Sequence, residues 1–112
     1  MKNLIIIALL AFGGYQFYNQ INLGKVEPEY DHSYVVVYGR NSCGWTSKIR
    51  EDLAAQGIDF EYRQIDEKII ANNIHQRMRS SGIDTRHYLL PVVEASGNIE
   101  IRPDLDWVLS NL

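Results

Sequence analysis

The run Tyr34-Val35-Val36-Val37-Tyr38, stopped by Gly39, restricts the fold more than any other stretch of the chain. β-Branched and aromatic residues favour extended backbone, and an apolar run without polar alternation must be covered on both faces. The strand is therefore predicted at the centre of a sheet. From Gly44 to Gln56 the pattern changes: Trp45, Ile49 and Leu53 recur every four residues, and Gly57 supplies the left-handed position that ends a helix. Asp59 to Ile65 alternates again, as a strand with one better-buried face does. A strand, a helix and a second strand in succession imply a parallel pair joined by a right-handed crossover.

The remaining elements follow from the same two periods. Asp66 is placed to cap a helix with Ile70, Ile74 and Met78 on its inner stripe, running to Ser80-Ser81-Gly82. Leu89 to Ala95 and Asn98 to Arg102 flank Ser96-Gly97, a short hairpin connection. Asp104 is placed to cap a last helix with Leu105, Val108, Leu109 and Leu112 as its apolar stripe. The order is β-α-β-α-β-β-α, which predicts an α/β domain of three layers around a four-stranded mixed sheet, over residues 34–112.

What precedes that domain has a different character. After Lys2 comes an uncharged apolar run, Leu4 to Gly14, with no acid or base until Lys25. A positive start followed by such a run is the pattern of a secretory signal or a signal anchor. The run alone is shorter than the roughly 20 residues a bilayer span needs, but Tyr15, Phe17, Tyr18, Ile21 and Leu23 extend it and suit the membrane interface. Residues 1–23 are thus expected to anchor the chain or direct its export, with Ala11 and Gly13 as the small residues of an alternative cleavage site. Residues 24–33, with Pro28 and several acids, read as a linker. Lys2 and the amino terminus stay cytoplasmic by the positive-inside tendency, which puts the domain on the extracytoplasmic, periplasmic side.

Charge and cysteine content narrow the function classes. With 11 Lys and Arg against 14 Asp and Glu, and no basic block, the chain lacks the electrostatic footprint of a nucleic-acid binder. Its 1 cysteine rules out an internal disulfide, and His32, His75 and His87 show neither triad nor metal-ligand spacing. The cysteine itself, Cys43, falls between the central strand and the first helix, in Arg40-Asn41-Ser42-Cys43-Gly44-Trp45-Thr46. Unpaired N–H groups and the positive dipole end at a helix N-terminus stabilise a thiolate, and Arg40 is a nearby cation. Open α/β sheets bind ligands at that edge. Cys43 is accordingly the candidate catalytic nucleophile.

The stretch Val35 to Thr46 resembles the first strand and active-site turn of glutaredoxins, and Leu89-Leu90-Pro91 falls where their Thr-Val-Pro lies, 48 positions after the cysteine. The resemblance covers Tyr34 to Leu112 and implies the thioredoxin-like fold of that family. Cys43-Gly44-Trp45-Thr46 has Thr at the position of the second cysteine of dithiol members, so it is similar to the monothiol Cys-Gly-Phe-Ser class. By this resemblance Pro91 is expected to be cis, and the Leu90 backbone to pair with the cysteine moiety of glutathione. Arg40 matches the basic residue that faces the glycyl carboxylate, and Asp104 and Asp106 stand near the γ-glutamyl contact. Two departures are plain: Leu89 replaces Thr, and Arg102-Pro103 replaces Gly-Gly, where Pro103 has no N–H to donate. Trp45 has two readings, a core residue by its spacing with Ile49 or a substrate-facing lid by the family's exposed aromatic.

The activity so implied is thiol-disulfide exchange on glutathione mixed disulfides, with glutathione as co-substrate and glutathionylated or disulfide-bearing proteins as partners. An external thiol must complete each cycle, since one cysteine cannot resolve its own mixed disulfide. An exported location fits poorly with reductive recycling, because such compartments are oxidising. Two other functions match the same sequence: Cys43 with glutathione holding a [2Fe-2S] cluster between two chains, or a tethered interaction module without catalysis.

Overall fold

The computed structural model describes residues 26–112, so the anchor or signal read in residues 1–23 lies outside it. Among the described residues no helix is long and apolar enough to cross a membrane. Strand β1, Val35–Gly39, is buried at every position, as its uninterrupted apolar sequence requires. It pairs in parallel with β2, Glu61–Gln64, and antiparallel with β3, Val92–Ala95, which pairs antiparallel with β4, Asn98–Ile101. The sheet order β2-β1-β3-β4 puts β1 inside, next to the parallel neighbour that the crossover supplies. Ser96 and Gly97 both take positive φ, 50° and 90°, the backbone that a two-residue hairpin between right-twisted strands needs.

Alternation along β1 splits the core between two faces. Val35, Val37 and Val93 pack with Ile49 and Leu53 of helix α1, Gly44–Ala55, and with Val108 of α3, Leu105–Ser110. Val36, Tyr38 and Val92 pack on the other face with Ile74 and Met78 of α2, Lys68–Ser80. This is the three-layer arrangement around a four-stranded mixed sheet expected from the element order. Gly57 closes α1 at φ 70°, and Asp104 caps α3 by accepting the Trp107 N–H at 2.9 Å.

Several element ends differ from the sequence reading: β1 begins at Val35 and includes Gly39, and α3 ends at Ser110, which leaves Leu112 outside it and Leu109 and Leu112 exposed. Helix α2 begins one residue later than expected, with Glu67 at its N-cap position and no side-chain cap, because the Asp66 carboxylate instead accepts a hydrogen bond from Arg40 Nε at 2.7 Å. Strand β2 is confined to its central four residues, at the sheet edge. Leu89, Leu90 and Pro91 lie outside β3, and Arg102, at φ 45°, lies outside β4.

Residues 26–33, read as linker, lie along the domain surface without regular structure. Val26 is buried in the core and donates its N–H to Gly97 O at 2.9 Å. Glu29 receives both terminal nitrogens of Arg63, at 3.0 and 2.9 Å. Arg77 pairs with Glu94, a fully buried carboxylate on β3, and also donates to Glu27 O at 2.9 Å. The Tyr34 hydroxyl donates to Glu94 as well, and burial followed by that contact pushes its pKa up to about 12.

Candidate active site

Cys43 is the N-cap residue of α1, with extended backbone and a half-buried side chain. β1 brings the chain to the C-terminal edge of the sheet, a turn closed by Cys43 N–H to Arg40 O at 3.1 Å reverses it, and α1 departs with the Trp45 and Thr46 N–H groups acting on the thiol. The Leu90–Pro91 peptide bond opposite is cis. Cys43 Sγ lies 4.0 Å from Leu90 O.

The thiol pKa is lowered, and the Thr46 hydroxyl is the largest cause, followed by the backbone N–H of Thr46, with smaller help from the Trp45 N–H and from the charge of Arg102. Partial burial works against this shift. Thr46 is fully buried, and its Oγ1 makes no hydrogen bond in the resting geometry among the described residues. A buried hydroxyl without an acceptor is costly, and ionisation of the thiol one helical turn back supplies an acceptor. Thr46 therefore does more than stand in place of a second cysteine: it is a donor held ready for the thiolate. The sequence carried a signal for this, a hydroxyl three residues after a helix-capping cysteine, which the apolar stripe through Trp45 concealed.

Gly39 and Thr46 form one packing unit. A Cβ on Gly39 would meet Thr46 Oγ1 at 2.3 Å and Thr46 Cγ2 at 2.5 Å, well inside contact distance. Gly39→Ala is therefore expected to lose about 1–3 kcal/mol of stability through overpacking and to raise the thiol pKa by displacing the Thr46 hydroxyl. Chemical denaturation with a pH titration of alkylation checks both. A stable variant whose titration midpoint matches the parent would show that Thr46 does not set the thiol pKa.

The other sequence-predicted site residues line two grooves, neither of which includes Cys43 in its lining. Trp45 is 54% exposed, so the stripe facing the core is Thr46, Ile49 and Leu53, and the core reading of the tryptophan does not hold. It lines a groove of about 340 Å³ with Pro91, Arg102, Asp104 and Asp106. The second groove, about 530 Å³, is lined by Arg40, Arg86, His87, Leu89 and Leu90. Arg40, expected beside the thiol, holds the Asp66 carboxylate, which raises its own pKa; Arg102 is the cation that lowers the thiol's. His75 hydrogen-bonds the Tyr88 hydroxyl at 2.5 Å.

Among the described residues no three His, Cys, Asp or Glu side chains converge as a metal site. A [2Fe-2S] cluster is held mostly by thiolates, of which this chain offers one, Cys43, so any further thiolate ligand would come from outside it.

A mixed parallel-antiparallel sheet that presents a thiol of lowered pKa at a helix N-terminus, opposite a cis-proline, is the arrangement of a thiol-redox domain of the thioredoxin fold. The family model for glutaredoxin matches residues 35–99. The chain belongs to the glutaredoxin family, whose members are thiol-disulfide oxidoreductases that use glutathione. Among solved structures it is similar to a glutaredoxin from Archaeoglobus fulgidus, at 23% identity over 72% of this chain and 87% of that one, with a TM-score of 0.55. It is also similar to glutaredoxin 1 from Francisella tularensis, solved with cacodylate, at 19% identity over 61% and 80%, with a TM-score of 0.47. No curated protein matches the chain.

Proposed function

We propose that the chain is a monothiol glutaredoxin that takes the glutathionyl group from mixed disulfides through Cys43 and is regenerated by free glutathione. The observation that carries this reading is the lone thiol with a lowered pKa at the N-terminus of α1, 4.0 Å from Leu90 O. The thiolate attacks the glutathione sulfur of a protein-glutathione disulfide; a bond forms between Cys43 and glutathione as the old S–S bond breaks, and the protein leaves as its thiolate. A second glutathione thiolate then attacks the glutathione sulfur on Cys43, releasing glutathione disulfide and restoring the thiolate. Two electrons pass from two glutathiones to the substrate, and no second protein cysteine is needed. In this reading Arg40 faces the glycyl carboxylate in one groove, and Trp45, Asp104 and Asp106 receive the γ-glutamyl end in the other. Residues 1–23 would anchor or export the domain to the extracytoplasmic side.

The test is a steady-state assay with a glutathionylated peptide as substrate and glutathione as the sole reductant. Expected are ping-pong kinetics and a rate that vanishes without free glutathione. A protein whose Cys43 is readily alkylated but which adds nothing to the uncatalysed rate would overturn the proposal. Visible absorbance after anaerobic purification, lost on removing glutathione, would point to the cluster-binding reading.

A further inference from the structure

Arg102 leaves β4 with φ 45°, the left-handed region where a side chain other than glycine is held only by its surroundings. Its N–H donates to Pro91 O at 2.7 Å, and its side chain folds back over the site. Nε donates to Leu90 O at 2.7 Å, and the guanidinium lies 4.7 Å from the centroid of the Trp45 ring. That carbonyl is the same one that Cys43 Sγ approaches at 4.0 Å. One cation thus fills an acceptor beside the nucleophile and covers the exposed aromatic of the adjoining groove.

We infer that Arg102 is a specificity-determining gate: at rest it donates to the Leu90 carbonyl and lies over Trp45, so its guanidinium covers the approach to that carbonyl and must give way before a peptide disulfide can pair its backbone there. The inference rests on the thiol-disulfide exchange proposed above and adds a substrate class to it. The released guanidinium needs a new partner. A disulfide that carries a carboxylate within reach offers it a charge-assisted, two-pronged hydrogen bond in place of the Leu90 carbonyl. A neutral peptide disulfide offers only amide carbonyls, weaker acceptors for a guanidinium, so opening the gate is less favourable for it. A disulfide without a peptide backbone has no use for the carbonyl and reacts with the gate shut. The favoured substrates are therefore cysteine peptides with a free carboxylate close to the disulfide. In each case the Cys43 thiolate bonds to one sulfur as the S–S bond breaks, and the other sulfur leaves as a thiolate that takes its proton from water.

Three disulfides separate the gate from a plain charge effect: 2-hydroxyethyl disulfide, with no backbone; the disulfide of N-acetylcysteine N-methylamide, neutral with a backbone; and that of N-acetylcysteine, with a carboxylate. Arg102→Gly suits the test because glycine takes positive φ readily, and Arg102→Lys keeps the charge but not the planar fork. For Arg102→Gly, the rate of the neutral peptide disulfide relative to 2-hydroxyethyl disulfide is expected to rise about two- to tenfold, the span of one freed hydrogen bond, while the carboxylate preference falls. Arg102→Lys is expected to show the same rise with the thiol pKa close to the parent's. If all three rates move together with the thiol pKa, Arg102 acts only as a charge and the gate is refuted. If the parent exchanges with none of the three disulfides, it is the exchange reading that fails. The gate is then read from mixed disulfides of Cys43 made with pyridyl-activated reagents, following the Arg102 Nε–H by NMR. Its signal is expected to be protected in the free chain and in the 2-hydroxyethyl adduct, and lost in the N-methylamide adduct. The same protected signal in both adducts refutes the gate independently.

Discussion

Cys43→Ser is expected to reduce glutathione-dependent exchange to background, a loss on the order of a thousandfold or more, while the thermal unfolding profile stays close to the parent's. The side chain is half-buried at the N-cap of α1, where serine fits and is itself a favoured cap, so the fold has no reason to suffer. What disappears is a sulfur nucleophile whose pKa lies below that of a model thiol. Thr46→Val separates nucleophile from activation. Valine matches the shape of threonine but removes the hydroxyl that contributes most to lowering the thiol pKa. The alkylation rate follows the thiolate fraction, so its pH midpoint in the parent lies below that of a model thiol, and in Thr46→Val it shifts upward. Stability moves the other way: the variant loses a buried hydroxyl that has no partner at rest, which is expected to add about 1 kcal/mol. Thr46→Val with an unchanged midpoint would remove Thr46 from the site, and Cys43→Ser with residual turnover would remove Cys43.

The fold was legible where local pattern and global packing agree. Val35 to Tyr38 has no polar residue to offer solvent, so the centre of the sheet was the one place it could go, and Gly57 and Asp104 end and begin helices through their own backbone chemistry. Cys43 was legible for the same reason, since its position between strand and helix implies its environment. What the sequence withheld depends on contacts between distant segments. The four-residue period made Trp45 look like core, but the period fits Thr46 equally well once a turn's phase is shifted, and only the close approach of Gly39 selects Thr46. Arg40 was read as the thiol's cation because it lies three residues away in sequence. Asp66, 26 positions along, takes its Nε, whereas Arg102 reaches the site from the far end of the hairpin. Nor does any local rule foretell that Val26 and Glu29 bind to the domain, or that Glu94 faces inward among valines.

Glu94 is where the largest stability effect is expected. It lies on β3 with 0% exposure, bound by Arg77 Nε at 2.7 Å, by a terminal nitrogen of the same guanidinium at 2.8 Å, and by the Tyr34 hydroxyl. Two charges taken from water gain little over an apolar pair of the same size, but stripping one partner leaves the other buried without compensation. Arg77→Ala is therefore expected to cost about 3 kcal/mol, slightly tempered because the guanidinium is itself partly exposed. It also releases Glu27 O, so residues 26–33 should become more open to proteases than in the parent. The double variant Arg77→Met with Glu94→Leu removes both charges and keeps the volume, and it should recover most of the loss despite leaving the Tyr34 hydroxyl with only the Glu29 N–H at 3.0 Å. Urea midpoints at pH 7 measure all three proteins. Were the double variant no more stable than Arg77→Ala, the cost would lie in lost packing and in the detached 26–33 segment, and the buried carboxylate would not be what makes Arg77 indispensable.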